Sequence, residues 1–205
     1  MFLLDIDLKA RWFSFAKTGN LEGMKSLLFM GSHVINWQDE RKLTALSYAS
    51  QQGQDHVAQF LLDHNVDIKI KSGLFGQQAI HKAAYGGNLN IMKMLSEKHP
   101  DVLIEKNDNG WTPLMFATRN GQLEVCEWLV QGDRVDINDR DQDGWTALHL
   151  AASNNRIPIA ELLIKSRAEH LTDISGKTPL DIAKEKGFVE LSTLLESQFC
   201  DITKL

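Results

Sequence analysis

The chain has 205 residues, 43% of them apolar and 24% charged, with a formal net charge of −5. That is the balance of an ordinary globular protein, and it disfavours nucleic acid, which selects for basic stripes. Two cysteines, Cys126 and Cys200, are too few for a disulfide framework or a structural zinc site.

The N-terminal segment, Met1-Phe2-Leu3-Leu4, is interrupted at once by Asp5 and Asp7 and has no basic leader, so it does not read as a signal peptide. No stretch reaches the roughly 18 apolar residues of a spanning helix. The expected location is the cytoplasm, with the nucleus also open. Residues 1–38 read as an end unit, with Trp12, Phe13 and Phe15 in a helix pair over Ala10 to Met30.

From there a triplet recurs. Residues 39–72 carry Thr44-Ala45-Leu46, 73–106 carry Gln78-Ala79-Ile80, 107–140 carry Thr112-Pro113-Leu114 and 141–172 carry Thr146-Ala147-Leu148, each 34 residues after the last. Residues 173–205 carry Thr178-Pro179-Leu180 after a step of 32. Nine residues past each triplet's start stands Gly53, Gly87, Gly121 or Gly187, with Asn155 in the fourth copy, and Gly19 keeps the step at the N-terminus. A period of this length predicts stacked units in a single all-α domain over residues 1–205.

The third copy shows how a unit folds. Asp108-Asn109-Gly110 is a turn signal. Thr112 offers an oxygen at a helix start, and Pro113 suits the first helical position. Leu114 to Ala117 give a short helix that Asn120-Gly121 ends. Leu123, Val125, Cys126, Leu129 and Val130 recur at helical spacing, and Gly132-Asp133 closes that second helix. Arg134 to Arg140 returns as a polar loop. Two short helices leave one face bare, and the next unit covers it. Ala49, Ala83-Ala84, Ala117, Ala151-Ala152 and Ala183 permit close approach. Leu27-Leu28, Leu61-Leu62, Leu95, Leu129, Leu162-Leu163 and Leu194-Leu195 supply the core. Lys184, Glu185, Lys186 and Glu190 give the last unit a wet outer face.

The run Asp141-Gln142-Asp143-Gly144-Trp145-Thr146-Ala147-Leu148-His149-Leu150-Ala151-Ala152 resembles the ankyrin repeat, and the likeness extends from about Leu8 to Ser197. It implies an ankyrin-repeat solenoid of about six helix-turn-helix units with hairpin-like loops, end caps included. It also implies a bracing role for the histidine after the triplet, held by His81 and His149. Ser47, Phe116 and Asp181 take that place elsewhere. Asn155 tolerates the left-handed turn its glycine would fill. Pro158 falls early in a second helix, tolerable in the first turn and costly later.

No nucleophile–base constellation stands out among His33, His56, His64, His81, His99, His149 and His170, and the chain reads as non-catalytic, with no cofactor and no metal. The run Asp136 to Gly144 alternates oxygen-bearing side chains but lacks the glutamate of a calcium loop. Asn138 within it resembles the asparagine that some ankyrin proteins carry as a hydroxylation target.

The resemblance implies a concave groove lined by inner helices and loop tips. On this chain those positions are Arg41, Leu43, Gln51, Gln52, Leu74, Phe75, Gln77, Tyr85, Asn109, Trp111, Arg119, Asn120, Asp143, Trp145, Ser153, Asn154, Lys177 and Glu185. The protein-binding set is Arg41, Leu43, Gln52, Leu74, Phe75, Tyr85, Trp111, Arg119, Asn120, Trp145 and Asn154, centred on Phe75, Tyr85, Trp111 and Trp145. Aromatics and arginine are what interface hot spots favour. The alternative for Trp111 and Trp145 is packing over a neighbouring loop. Trp128 reads as core, and Trp37 as either.

The implied role is a monomeric adaptor, inhibitor or assembly chaperone binding a protein or peptide, without nucleic acid or membrane. The small all-repeat architecture is similar to that of the proteasome assembly chaperone with ankyrin repeats and of small kinase inhibitors of this family. A regulatory subunit of an enzyme complex, or a host-targeted microbial effector, is the alternative.

Overall fold

The computed structural model describes residues 2–31, 34–132 and 134–199. His33, Asp133 and Cys200 lie outside the described residues. Two compact units, Met1–Asp108 and Asn109–Leu205, divide the chain. Among the described residues the regular structure is helical, with isolated bridges and no extended strand. No helix among them is long and apolar enough to cross a membrane.

The first unit holds α1 (Phe2–Thr18), α2 (Leu21–Met30), α3 (Ala45–Gln52), α4 (Asp55–Asp63), α5 (Ala79–Gly86) and α6 (Leu89–Lys98), followed by a 3-10 turn at Pro100–Ile104. Helix α1 starts well before the expected Ala10, because no glycine or proline interrupts residues 2–18. The inner helices α1, α3 and α5 stack on one another, and so do the outer helices α2, α4 and α6. Ala49, Ala83 and Ala84 are fully buried where α3 meets α5, so small side chains set that spacing. Trp12, Met24, Leu46, Leu61, Ile80 and Leu95 fill the core.

The second unit repeats the scheme with α7 (Pro113–Asn120), α8 (Leu123–Val130), α9 (Ala147–Ser153), α10 (Ile157–Lys165), α11 (Pro179–Glu185) and α12 (Val189–Phe199). Helices α7, α9 and α11 stack in order, as do α8, α10 and α12. Leu114, Met115, Leu129, Leu148, Leu163 and Leu195 are buried between them. Pro158 sits in the first turn of α10, where no helical N–H is lost. Gly121 caps α7 at φ 80°, and Asn155 takes the equivalent left-handed turn at φ 52°.

Helix starts follow the triplet. The hydroxyls of Thr44, Thr112, Thr146 and Thr178 accept from the N–H three residues on, at Ser47, Met115, His149 and Asp181. This corrects one assignment: the bracing place in α7 belongs to Met115, three residues from its cap, and not to Phe116. Thr112→Ala should cost about 1 kcal/mol of stability, because one buried N–H loses its acceptor. Chemical denaturation reads this directly, and an unshifted midpoint would contradict the capping role.

The bracing residues differ in what they reach. His81 Nδ1 accepts from the Gln78 N–H at 3.1 Å while Nε2 meets the Glu105 carbonyl at 3.0 Å. His149 does the same between the Thr146 N–H at 3.1 Å and the Lys177 carbonyl at 3.2 Å. Each ring therefore ties a helix start to the following loop within its own unit. Ser47 achieves a shorter version, with its hydroxyl 2.9 Å from that of Thr44 and 2.7 Å from that of Ser72. In the last copy Asp181 only closes its own cap, accepting from the Thr178 N–H and hydroxyl at 2.9 and 2.6 Å.

Candidate functional site

In the first unit, Asp39 shapes the first loop tip. Its Oδ1 accepts from the N–H groups of Arg41 and Leu43 at 2.9 and 2.8 Å, and its Oδ2 from the Tyr48 hydroxyl at 2.7 Å. Burial, together with that bond to Asp39, pushes the Tyr48 phenol up to about 12. The tight turn leaves Arg41 exposed and drives Leu43 inward, to 5% exposure. Leu43 is therefore a core residue and offers no side chain to a partner.

The second tip is built differently. Ser72 and Gln77 exchange backbone hydrogen bonds of 2.6 and 2.9 Å, and the turn between them presents Leu74 and Phe75. Those two side chains are 92% and 52% exposed. The Gly73 N–H donates to the Lys42 carbonyl at 3.4 Å, joining this tip to the first. Tyr85, near the end of α5, is 44% exposed. Gln52 is exposed at the end of α3, while Gln51 and Gln77 are half-buried.

In the second unit the expected residues are mostly engaged. The Trp145 indole N–H donates to Asp173 Oδ2 at 3.1 Å, and its ring stacks on His149 with centroids 6.0 Å apart. Trp111 packs on Phe116 at 5.2 Å, with the Arg119 guanidinium 5.3 Å from its ring. Both tryptophans are half-buried. They occupy the register of Leu43, immediately before the helix cap, where a side chain folds back toward the inner helix. Asn120 and Asn154 also turn inward, each donating to the carbonyl one helical turn earlier, Phe116 and Leu150, at 2.9 Å. The Asn109 and Asp143 carbonyls accept from the Gln142 and Ile174 N–H groups at 3.1 Å, linking successive tips. The Ser153 carbonyl and hydroxyl accept from Lys186 at 2.7 and 2.9 Å, and Lys177 pairs with Glu185 at 2.7 Å.

The acidic run is held by its own backbone. Asp136 Oδ1 accepts from the Asn138 N–H at 2.8 Å, and Asp141 Oδ1 from the N–H groups of Asp143 and Trp145 at 3.0 and 2.8 Å. Asn138 Oδ1 accepts from the Glu169 N–H at 2.9 Å. Among the described residues no group of three His, Cys, Asp or Glu side chains is placed to hold a metal ion. Asp173 is held near 2 by the Ser175 hydroxyl, with the N–H groups of Lys177 and Ser175 and the Trp145 indole adding to it. Cys126 is buried in α8, which pushes its thiol up to about 12. Trp128 is not core: it is half-buried, with the Arg134 guanidinium 5.1 Å from its ring. Trp37 is half-buried beneath the Lys9 ammonium, 5.1 Å away.

The ankyrin repeats family model matches in three copies, over residues 12–105, 65–141 and 131–204. The chain belongs to the ankyrin repeat family. No curated protein matches it. Ankyrin repeats are generally protein–protein interaction modules and typically not catalysts.

One residue of this ankyrin chain escaped the sequence reading. The first position after the bracing residue reads Tyr48, Lys82, Phe116, Leu150 and Ile182. Lys82 is the one charge in that register, and the repeat alignment carries the signal once its cap is fixed. It is half-buried on α5. Burial first, and then the Arg41 cation, press its ammonium below the usual lysine range.

Proposed function

We propose that this ankyrin repeat protein acts without catalysis, presenting inner helices and loop tips to a segment of another protein as an adaptor, inhibitor or assembly chaperone. The observation that carries this reading is the exposure of Leu74, Phe75 and Tyr85 in the first unit. At the other tips most of the expected side chains are engaged in turns, caps and ring packing, and Ile174 on the last tip is a lone exposed apolar side chain there. Large apolar side chains left in water at neighbouring positions mark interaction surfaces. Stacking fixes the backbone beneath them, so little conformational freedom is lost on binding.

Affinity capture from native cell lysate tests this, with wild-type protein beside a Phe75→Ala/Tyr85→Ala double variant of unchanged melting temperature. A partner retained by wild type and lost by the variant supports docking on the first unit. Identical captures by both proteins would move the surface elsewhere.

A further inference from the structure

We propose that the first unit recognises an acidic segment of its partner, an extended stretch carrying Asp or Glu beside a bulky apolar residue. The carboxylate would lie between Arg41 and Lys82, with the apolar side chain against Leu74, Phe75 and Tyr85. This rests on the reading that the first unit takes a protein segment, and adds the chemistry of that segment.

The placement follows from the repeat register. Arg41 and Phe75 are 34 residues apart and occupy the same position on successive tips. The Gly73–Lys42 backbone bond ties those tips together beside them. Lys82 and Tyr85 are three residues apart on α5, on one face of that helix. Arg41 is close enough to act on Lys82 electrostatically.

The charge at this corner is unbalanced. Among the described residues neither Arg41 nor Lys82 has a side-chain hydrogen bond or an ion pair. Asp39 makes no ion pair with either, its oxygens accepting instead from the turn N–H groups and the Tyr48 hydroxyl. A half-buried ammonium beside a second cation, with no ion-paired carboxylate, is unfavourable in the free protein. The other copies fill the Lys82 position with tyrosine or an apolar side chain at no such cost. A carboxylate from outside relieves both desolvation and like-charge repulsion, and the exposed apolar trio supplies the non-polar contact. The overall charge of −5 disfavours a nucleic-acid phosphate as the anion.

Selection of a random-peptide display library on the full chain tests this. The expected winners pair Asp or Glu with a neighbouring bulky apolar residue. Their affinity should fall about tenfold or more with Lys82→Met or Arg41→Gln, and persist with Lys82→Arg, as for a charge pair at a partly desolvated interface. Lys82→Met keeps the buried stem, so folding is preserved, and a matching thermal melt verifies it. Winners without acidic preference, weakened by Phe75→Ala but not by Lys82→Met, would overturn the acidic partner and leave the docking reading intact. Winners indifferent to Lys82→Met, Arg41→Gln and Phe75→Ala alike would overturn both. Binding of a single-stranded RNA oligonucleotide that depends on Lys82 would overturn the partner class.

Discussion

His149→Ala should destabilise the chain by about 3 kcal/mol, because it strands two buried backbone groups and leaves a cavity. The ring accepts from the Thr146 N–H and reaches the Lys177 carbonyl, so its loss uncouples the start of α9 from the next loop. For a chain of this size that is a drop in melting temperature of roughly 9 °C. A variant melting within a degree or two of wild type would show that neither bond matters. The same ring makes stability depend on pH. Burial holds His149 below the ordinary histidine range, so the folded chain keeps it neutral where the unfolded chain protonates. Its stabilising contribution is complete above about pH 6.5 and is lost as pH falls toward the folded value. His170 is shifted the same way by burial. The melting temperature should therefore fall on moving from neutral to mildly acidic buffer, and His149→Ala should flatten that fall. An equally steep fall in the variant would assign the effect to other groups.

The triplet, its threonine caps and its turn glycines were legible because each has a local cause. A hydroxyl meets an N–H three residues on, and a glycine or asparagine takes positive φ. The same local logic put Pro158 early in a helix, and the structure places it in the first turn, while Asn155 takes the glycine's role. The tertiary environment of a tip residue was not legible. Leu43, Trp111 and Trp145 share a register, and pattern alone offered it as contact surface. It is drawn inward because the aspartate turns of Asp39 and Asp141 pull the residue before the cap against the inner helix. The exposed character of Leu74 and Phe75 was legible, since they stand where the other tips carry mostly polar, exposed residues such as Glu40-Arg41, Asp108-Asn109 and Gln142-Asp143. Trp128 read as core from helical spacing, yet it lies at the edge of that face, where an arginine covers its ring. Lys82 was visible in the alignment of copies but carried no motif. Only its partial burial and missing counter-ion give it meaning.

Trp145→Ala and Phe75→Ala should part company, one in stability and the other in affinity. Trp145 loses an indole–carboxylate bond to Asp173 and a stacked neighbour in His149, a cost of about 2 kcal/mol. Trp145→Phe keeps the ring and loses the bond, which should cost about half as much. Phe75 lies at a tip with half its surface in water, so its removal should change stability by no more than about 0.5 kcal/mol. For a captured partner the order reverses. Phe75→Ala should weaken binding by about 2 kcal/mol, close to thirtyfold, if it anchors the contact. Trp145→Ala should leave affinity unchanged at temperatures where the variant remains folded. Thermal melts and titration calorimetry on the same three variants decide the matter. If Trp145→Ala weakened binding at full folding while Phe75→Ala did not, the contact surface would lie on the second unit, and the first unit's apolar tip would need another explanation.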